Sequence, residues 1–108
     1  MQRRTDFIAA IGRRQMVLIE YRSKKSGAFE SRTCAPLDFG PLRRTADGID
    51  RFHFWDYDGS RGGHVASIEA QQVTRVEVVG HNFDPSDIVT WDVRQSPWHV
   101  ERDWGSLS

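Results

Sequence analysis

The chain has 108 residues and a mass of 12.4 kDa, room for one domain and one small core. With 38% hydrophobic and 28% charged residues and a mean hydropathy of −0.59, the composition is that of a soluble chain, and no apolar run approaches the ~18 residues of a membrane helix. Fifteen basic and fifteen acidic residues cancel, which excludes a coat protein that binds nucleic acid through a large phosphate-neutralising surplus. The charge is nonetheless uneven. Residues 1–51 carry eleven Lys/Arg and six Asp/Glu, a surplus of five positive charges, and residues 52–108 carry four and nine, a surplus of five negative ones. The single cysteine, Cys34, excludes an internal disulfide framework and a cysteine-based zinc site, and it points to a reducing cytoplasm. Met1-Gln2-Arg3-Arg4 has the basic character of a signal-peptide start, but the apolar stretch from Phe7 to Gly12 is too short for a signal-peptide core.

Thr5 is placed to cap a short helix with Asp6 in its first turn, where negative charge complements the helix dipole. Phe7, Ile8 and Ile11 then recur on one face, and the helix is expected to fade near Gly12 with Arg13 and Arg14 at its C-terminal end. The period then changes to two. Val17, Ile19 and Tyr21 share one face of a strand over 16–22, with Glu20 and Arg22 on the other. Ser23 to Gly27 is turn material. A second strand runs from Phe29 to Ala35, and Pro36 either ends its ladder or confines it to an edge. Gly40-Pro41 and Ala46-Asp47-Gly48 bracket a loop carrying Arg43 and Arg44.

The most aromatic stretch, Arg51 to Tyr57, reads as a strand in which Phe52 and Phe54 alternate with His53, Trp55 and Tyr57. One of those two rows must face outward or into a subunit interface. After a turn over 58–63 come a short strand, His64 to Ile68, a helical or turn step at Glu69 to Gln72, and a strand from Val73 to Val79 with Val76 and Val78 inward. The predicted fold is mainly β (α+β): an N-terminal helix and a five-stranded small β-barrel over 1–85. Residues 86–108 form an extended C-terminal tail that packs on the barrel or is partly disordered. Ile88 to Val93 is compatible with one further strand.

In order and spacing, a short apolar helix, "V-x-I-x-Y-R" at Val17–Arg22, "R-T-x-x-P-L" at Arg32–Leu37, an aromatic strand, "S-I-E" at Ser67–Glu69 and "V-T-R-V-E-V-x-G" at Val73–Gly80 resemble the WYL domain. The resemblance covers roughly residues 5–84. It implies a Sm-like (SH3-like) barrel of the kind found in bacterial transcription regulators, binding a nucleotide or single-stranded nucleic acid. It also implies roles for Tyr21, Arg32 and Pro36. The Trp-Tyr-Leu triplet that names the family falls on Phe52-His53-Phe54, and the basic residue that usually precedes the last strand corresponds to Gln72.

The residues themselves point to a binding constellation of Tyr21, Arg32, His53, Trp55 and Tyr57. Guanidinium offers a planar fork for phosphate, and exposed aromatic faces stack on bases. Equally open is a structural role, with Tyr21 joining Val17 and Ile19 in the core and Arg32 pairing across strands with Glu20 or Glu30. Arg43 and Arg44 either clamp phosphates or form a solvated loop. Neither a catalytic constellation nor a cofactor is expected. Cys34 lies mid-strand as an inert thiol, His53, His64, His81 and His99 lack metal-ligand spacing, and the Asp56–Ser60 stretch lacks the later glutamate of a calcium loop. The alternative to a ligand site is a protein partner or homo-oligomer contacting the His53/Trp55/Tyr57 row and Trp91, Trp98 and Trp104.

Overall fold

The computed structural model describes residues 2–44, 47–57 and 63–108. Its elements are helix α1 (Gln2–Arg13) and strands β1 (Gln15–Arg22), β2 (Phe29–Gly40), β3 (Arg51–Asp56), β4 (His64–Glu69) and β5 (Val73–Asn82). The strands form one antiparallel sheet in the order β4-β3-β2-β1-β5. Residues 58–62 of the turn expected at 58–63, and Thr45 and Ala46 of the loop, lie outside the described residues. Among the described residues, no helix is long and apolar enough to cross a membrane.

The helix starts at Gln2, before the expected cap, so Thr5 and Asp6 lie within it and not at its cap. Phe7, Ala10 and Ile11 are its buried face, and the Phe7 ring meets Phe52 edge-on at 4.9 Å. Gly12 does not end it. The left-handed residue that reverses the chain is Arg14 (φ 57°), whose N–H donates to the Ile11 carbonyl and whose side chain donates to the Asp103 carbonyl. The position after a helix usually takes glycine; here the C-terminal segment supplies a partner for a longer side chain.

Pro36 does not end the second strand. β2 runs on to Gly40 because it changes partners: residues 29–34 pair with β1, residues 34–40 with β3, and the β2–β3 register shifts between Pro36 and Asp38. Beyond Cys34 the β1 side of β2 carries no ladder, so a residue without an N–H donor costs nothing there. The changeover bends β2 around the core. Every residue from Cys34 to Gly40 is buried.

Along β3 the aromatic alternation resolves as two faces. Phe52 and Phe54 are buried, His53 and Trp55 are half-buried on the outer face, and Tyr57 is exposed just past the strand. In β5, Val73 is buried and Val76 half-buried, but Val78 does not join the buried core as expected: although paired with buried Val17, it lies on edge strand β5 and is 42% exposed. Ile88 to Val93 form no strand. Ile88, Val89 and Val93 are buried, and Trp104 joins the core with its indole N–H donating to the Ile11 carbonyl at 3.0 Å.

Candidate functional site

A cleft of about 580 Å³ opens between the outer face of the sheet and the C-terminal segment. Its floor is the end of β2 with His53 of β3 and Val65 and Ser67 of β4, and its near rim is the Pro41–Arg44 loop. The far wall is residues 91–92 and 95–99, with the Trp91 and Trp98 rings 6.0 Å apart in an edge-to-face pair. Its lining is predominantly apolar, with a few convergent polar groups, the usual make-up of a ligand cleft.

Asp38 holds that wall in place. The β2 bulge turns its side chain into the structure, where one carboxylate oxygen accepts the His99 N–H at 2.9 Å and the other accepts the Val100 N–H at 3.0 Å. Arg102 donates to the same carboxylate at 3.2 Å, to the Leu37 carbonyl and to the Val100 carbonyl. Its guanidinium lies over both Trp98 (3.9 Å) and Trp104 (4.5 Å), a double cation–π contact. The Arg102 side chain is fully buried, and burial pulls its pKa down to about 10 against the opposing pull of Asp38.

The near rim is tied to the wall by Arg43. Its Nε donates to the Pro97 carbonyl at 3.0 Å, and a terminal nitrogen lies 3.5 Å from His99 Nδ1. His99 Nε2 lies 2.9 Å from the Pro41 carbonyl, an acceptor only, so that nitrogen carries the proton and Nδ1 is left to accept. Gly40 has to be glycine here: φ is +152°, and a Cβ would come within 2.6 Å of the His99 ring. Arg44 lines the cleft, is exposed, and has no hydrogen-bond or ion-pair partner among the described residues. The cleft's acidic groups are already engaged, Asp38 as described and Asp92 by Arg94.

His53 is half-buried with both ring nitrogens bound. Nε2 lies 2.7 Å from the Gly40 carbonyl and Nδ1 lies 2.7 Å from the Ser67 hydroxyl. Burial lowers its pKa from the usual 6.5, outweighing the Gly40 carbonyl and Asp38, which favour the charged form. The neutral ring is therefore the resting state at pH 7.

Of the seven residues expected to bind, the structure brings Arg43, Arg44 and His53 to one cleft and leaves Tyr21, Arg32, Trp55 and Tyr57 off its walls. Tyr21 is buried, facing Phe54 at a ring distance of 6.5 Å. Arg32 sits beside it, 3.0 Å from Glu30 and 3.3 Å from Asp56, so two carboxylates already claim its guanidinium. An incoming phosphate would have to displace one of them. Trp55 is half-buried against the core, with the Gly63 backbone close over its ring. Gln72 stands where the resemblance implies a basic residue. It caps the Ala70–Gln72 3₁₀ turn by accepting the Glu69 N–H and donates to the Arg22 carbonyl, which ties that turn to the end of β1.

Sequence reasoning missed Asp38, Ser67, Trp91, Trp98 and Arg102 as one assembly. The available signal was an aspartate in an otherwise apolar run, Ala35 to Phe39, which demands a buried partner. Among the described residues there is no group of three or more His, Cys, Asp or Glu side chains able to hold a metal ion. Comparison with protein-family models, curated proteins and solved structures finds no match for this chain, so the reading of the site rests on its own geometry.

Proposed function

We propose that this chain is a non-enzymatic binding module that takes a nucleotide or a short run of single-stranded nucleic acid in the cleft between the sheet and the C-terminal segment. The observation that carries this reading is the juxtaposition of exposed Arg44, which has no partner among the described residues, and exposed Arg43 with Trp91 and Trp98 in one cleft of about 580 Å³. A planar ring with an anionic substituent fits that pairing, since bases stack on indole faces and guanidinium binds phosphate. The bent β2 and the 3₁₀ turn between β4 and β5 support a small SH3-like or Sm-like barrel of the WYL type. In that setting the module would sense its ligand as part of bacterial transcription regulation in the cytoplasm. The anion-binding role passes from Arg32 to Arg43 and Arg44. With no helix-turn-helix among the described residues, the module would not by itself read duplex DNA through a recognition helix.

The test is a titration with short single-stranded oligonucleotides and a nucleotide panel, at low and physiological salt, read by amide NMR and tryptophan fluorescence. Shifts at Arg44, His53, Ser67, Trp91 and Trp98 that weaken with salt, and that Arg44→Ala reduces, are expected. Absence of shifts with every member would refute the reading. A second reading, a protein or self-association surface, is favoured by exposed Tyr57 (40%) and Val65 (45%) beside edge strand β4. Concentration-dependent sedimentation abolished by Val65→Ser, with silent titrations, would decide for it.

A further inference from the structure

We infer that His53 fixes the Ser67 hydroxyl as a hydrogen-bond acceptor towards the cleft, so that the cleft selects a ring carrying an amino group over one carrying a carbonyl at the same place. The inference rests on the binding reading above and names the class of base. The reasoning is a proton count. The Gly40 carbonyl can only accept, so the ring nitrogen 2.7 Å from it, Nε2, must carry the hydrogen. A neutral imidazole has one hydrogen, which leaves Nδ1 as a bare lone pair. Ser67 Oγ, 2.7 Å from Nδ1, must therefore point its only hydrogen at His53. Whatever part of Oγ remains open to the cleft that Ser67 lines is lone pair only.

A free serine hydroxyl rotates and serves donors and acceptors alike. This one does not, because His53 is half-buried between β2 and β4 and bound at both nitrogens. The charged groups around the ring do not favour protonation strongly enough to undo this. Asp38 is taken by Arg102 and the His99 and Val100 N–H groups, while Arg51 and His99 oppose a positive charge on the ring. An amino group on a bound ring donates to the Oγ lone pair, whereas a carbonyl there sets acceptor against acceptor. A half-buried mismatch of that kind weakens binding by about tenfold.

The experiment compares two pairs that exchange that amino group for a carbonyl, and with it the hydrogen on the adjacent ring nitrogen: adenosine against inosine monophosphate and cytidine against uridine monophosphate. Binding is followed at pH 7.5 by tryptophan fluorescence in the wild type, Ser67→Ala, His53→Gln and His53→Leu. The wild type is expected to favour the amino member of each pair about tenfold. Ser67→Ala should level the two members. His53→Leu frees the hydroxyl to rotate and should level them too. His53→Gln, whose amide donates to Gly40 and accepts from Ser67, should keep the preference and shows that the site is still folded. Equal affinities in the wild type, or a preference that survives Ser67→Ala, would overturn the inference while leaving nucleotide binding intact. If none of the four binds, the proposed function itself falls and the inference with it.

Discussion

Removing the Asp38 carboxylate by Asp38→Ala should detach the C-terminal wall of the cleft. Asp38 is 7% exposed, and its carboxylate accepts from the His99 and Val100 N–H groups and from the fully buried Arg102 guanidinium. Breaking a buried ion pair by deleting one partner costs about 3–5 kcal/mol, because the other charge stays buried without its counter-charge. Arg102 keeps its carbonyl partners and its two indole faces, which places the expected loss at the lower end, about 3 kcal/mol. Against a total stability of about 5–15 kcal/mol this is a large fraction. The urea midpoint should fall by roughly 1–3 M at a slope of about 1–3 kcal/mol per M. Tryptophan fluorescence reports the transition directly, because Trp91, Trp98 and Trp104 sit on the segment that moves. The decisive comparison is the double variant Asp38→Ala/Arg102→Met, which removes the orphaned charge and should recover at least about 1 kcal/mol over Asp38→Ala alone. Additive single effects, or an Asp38→Ala loss below about 0.5 kcal/mol, would refute the view that this carboxylate anchors the wall.

The folded-state pKa of His53 lies below the ordinary 6.5 of an unfolded chain, so the folded protein binds this proton less readily than the unfolded one. Its contribution to stability is therefore complete above about pH 6.5 and is lost as the pH falls through the folded value. Wild type should lose stability relative to His53→Gln on acidification, in urea titrations run in steps below pH 6.5. A parallel pH dependence in the two proteins would count against the assignment. Burial pushes the Cys34 thiol up, far from thiolate at neutral pH, with Asp56 adding to the effect. A maleimide or aromatic disulfide reagent at pH 8 should leave native protein unmodified and label it only as fast as it unfolds. Immediate stoichiometric labelling of native protein would contradict that burial.

Much of the fold was legible along the chain because its signals are local. The alternation of Val17, Ile19 and Tyr21, the aromatic stretch from Arg51 and the turn residues between them specify short strands through periodicity alone. The faces of β3 followed once one row had to be inside. Pro36 misled because its missing N–H matters only where a neighbour would have accepted it, and the chain alone does not show that β1 stops pairing at Cys34. Gly12 misled similarly, since the left-handed turn fell to Arg14, held by the carbonyl of a residue 89 positions away.

For the site, the sequence by itself determined the ingredients: arginines in a loop, a histidine amid aromatics, and three tryptophans near the end. Only the tertiary structure decided which of them meet. Asp38 lies 61, 62 and 64 residues before His99, Val100 and Arg102, and they converge because a buried carboxylate must find its donors wherever the chain can bring them. Likewise, the tautomer of His53 is set by a carbonyl 13 residues earlier and a hydroxyl 14 residues later. Both partners lie on neighbouring strands, where sheet register and not sequence distance governs contact.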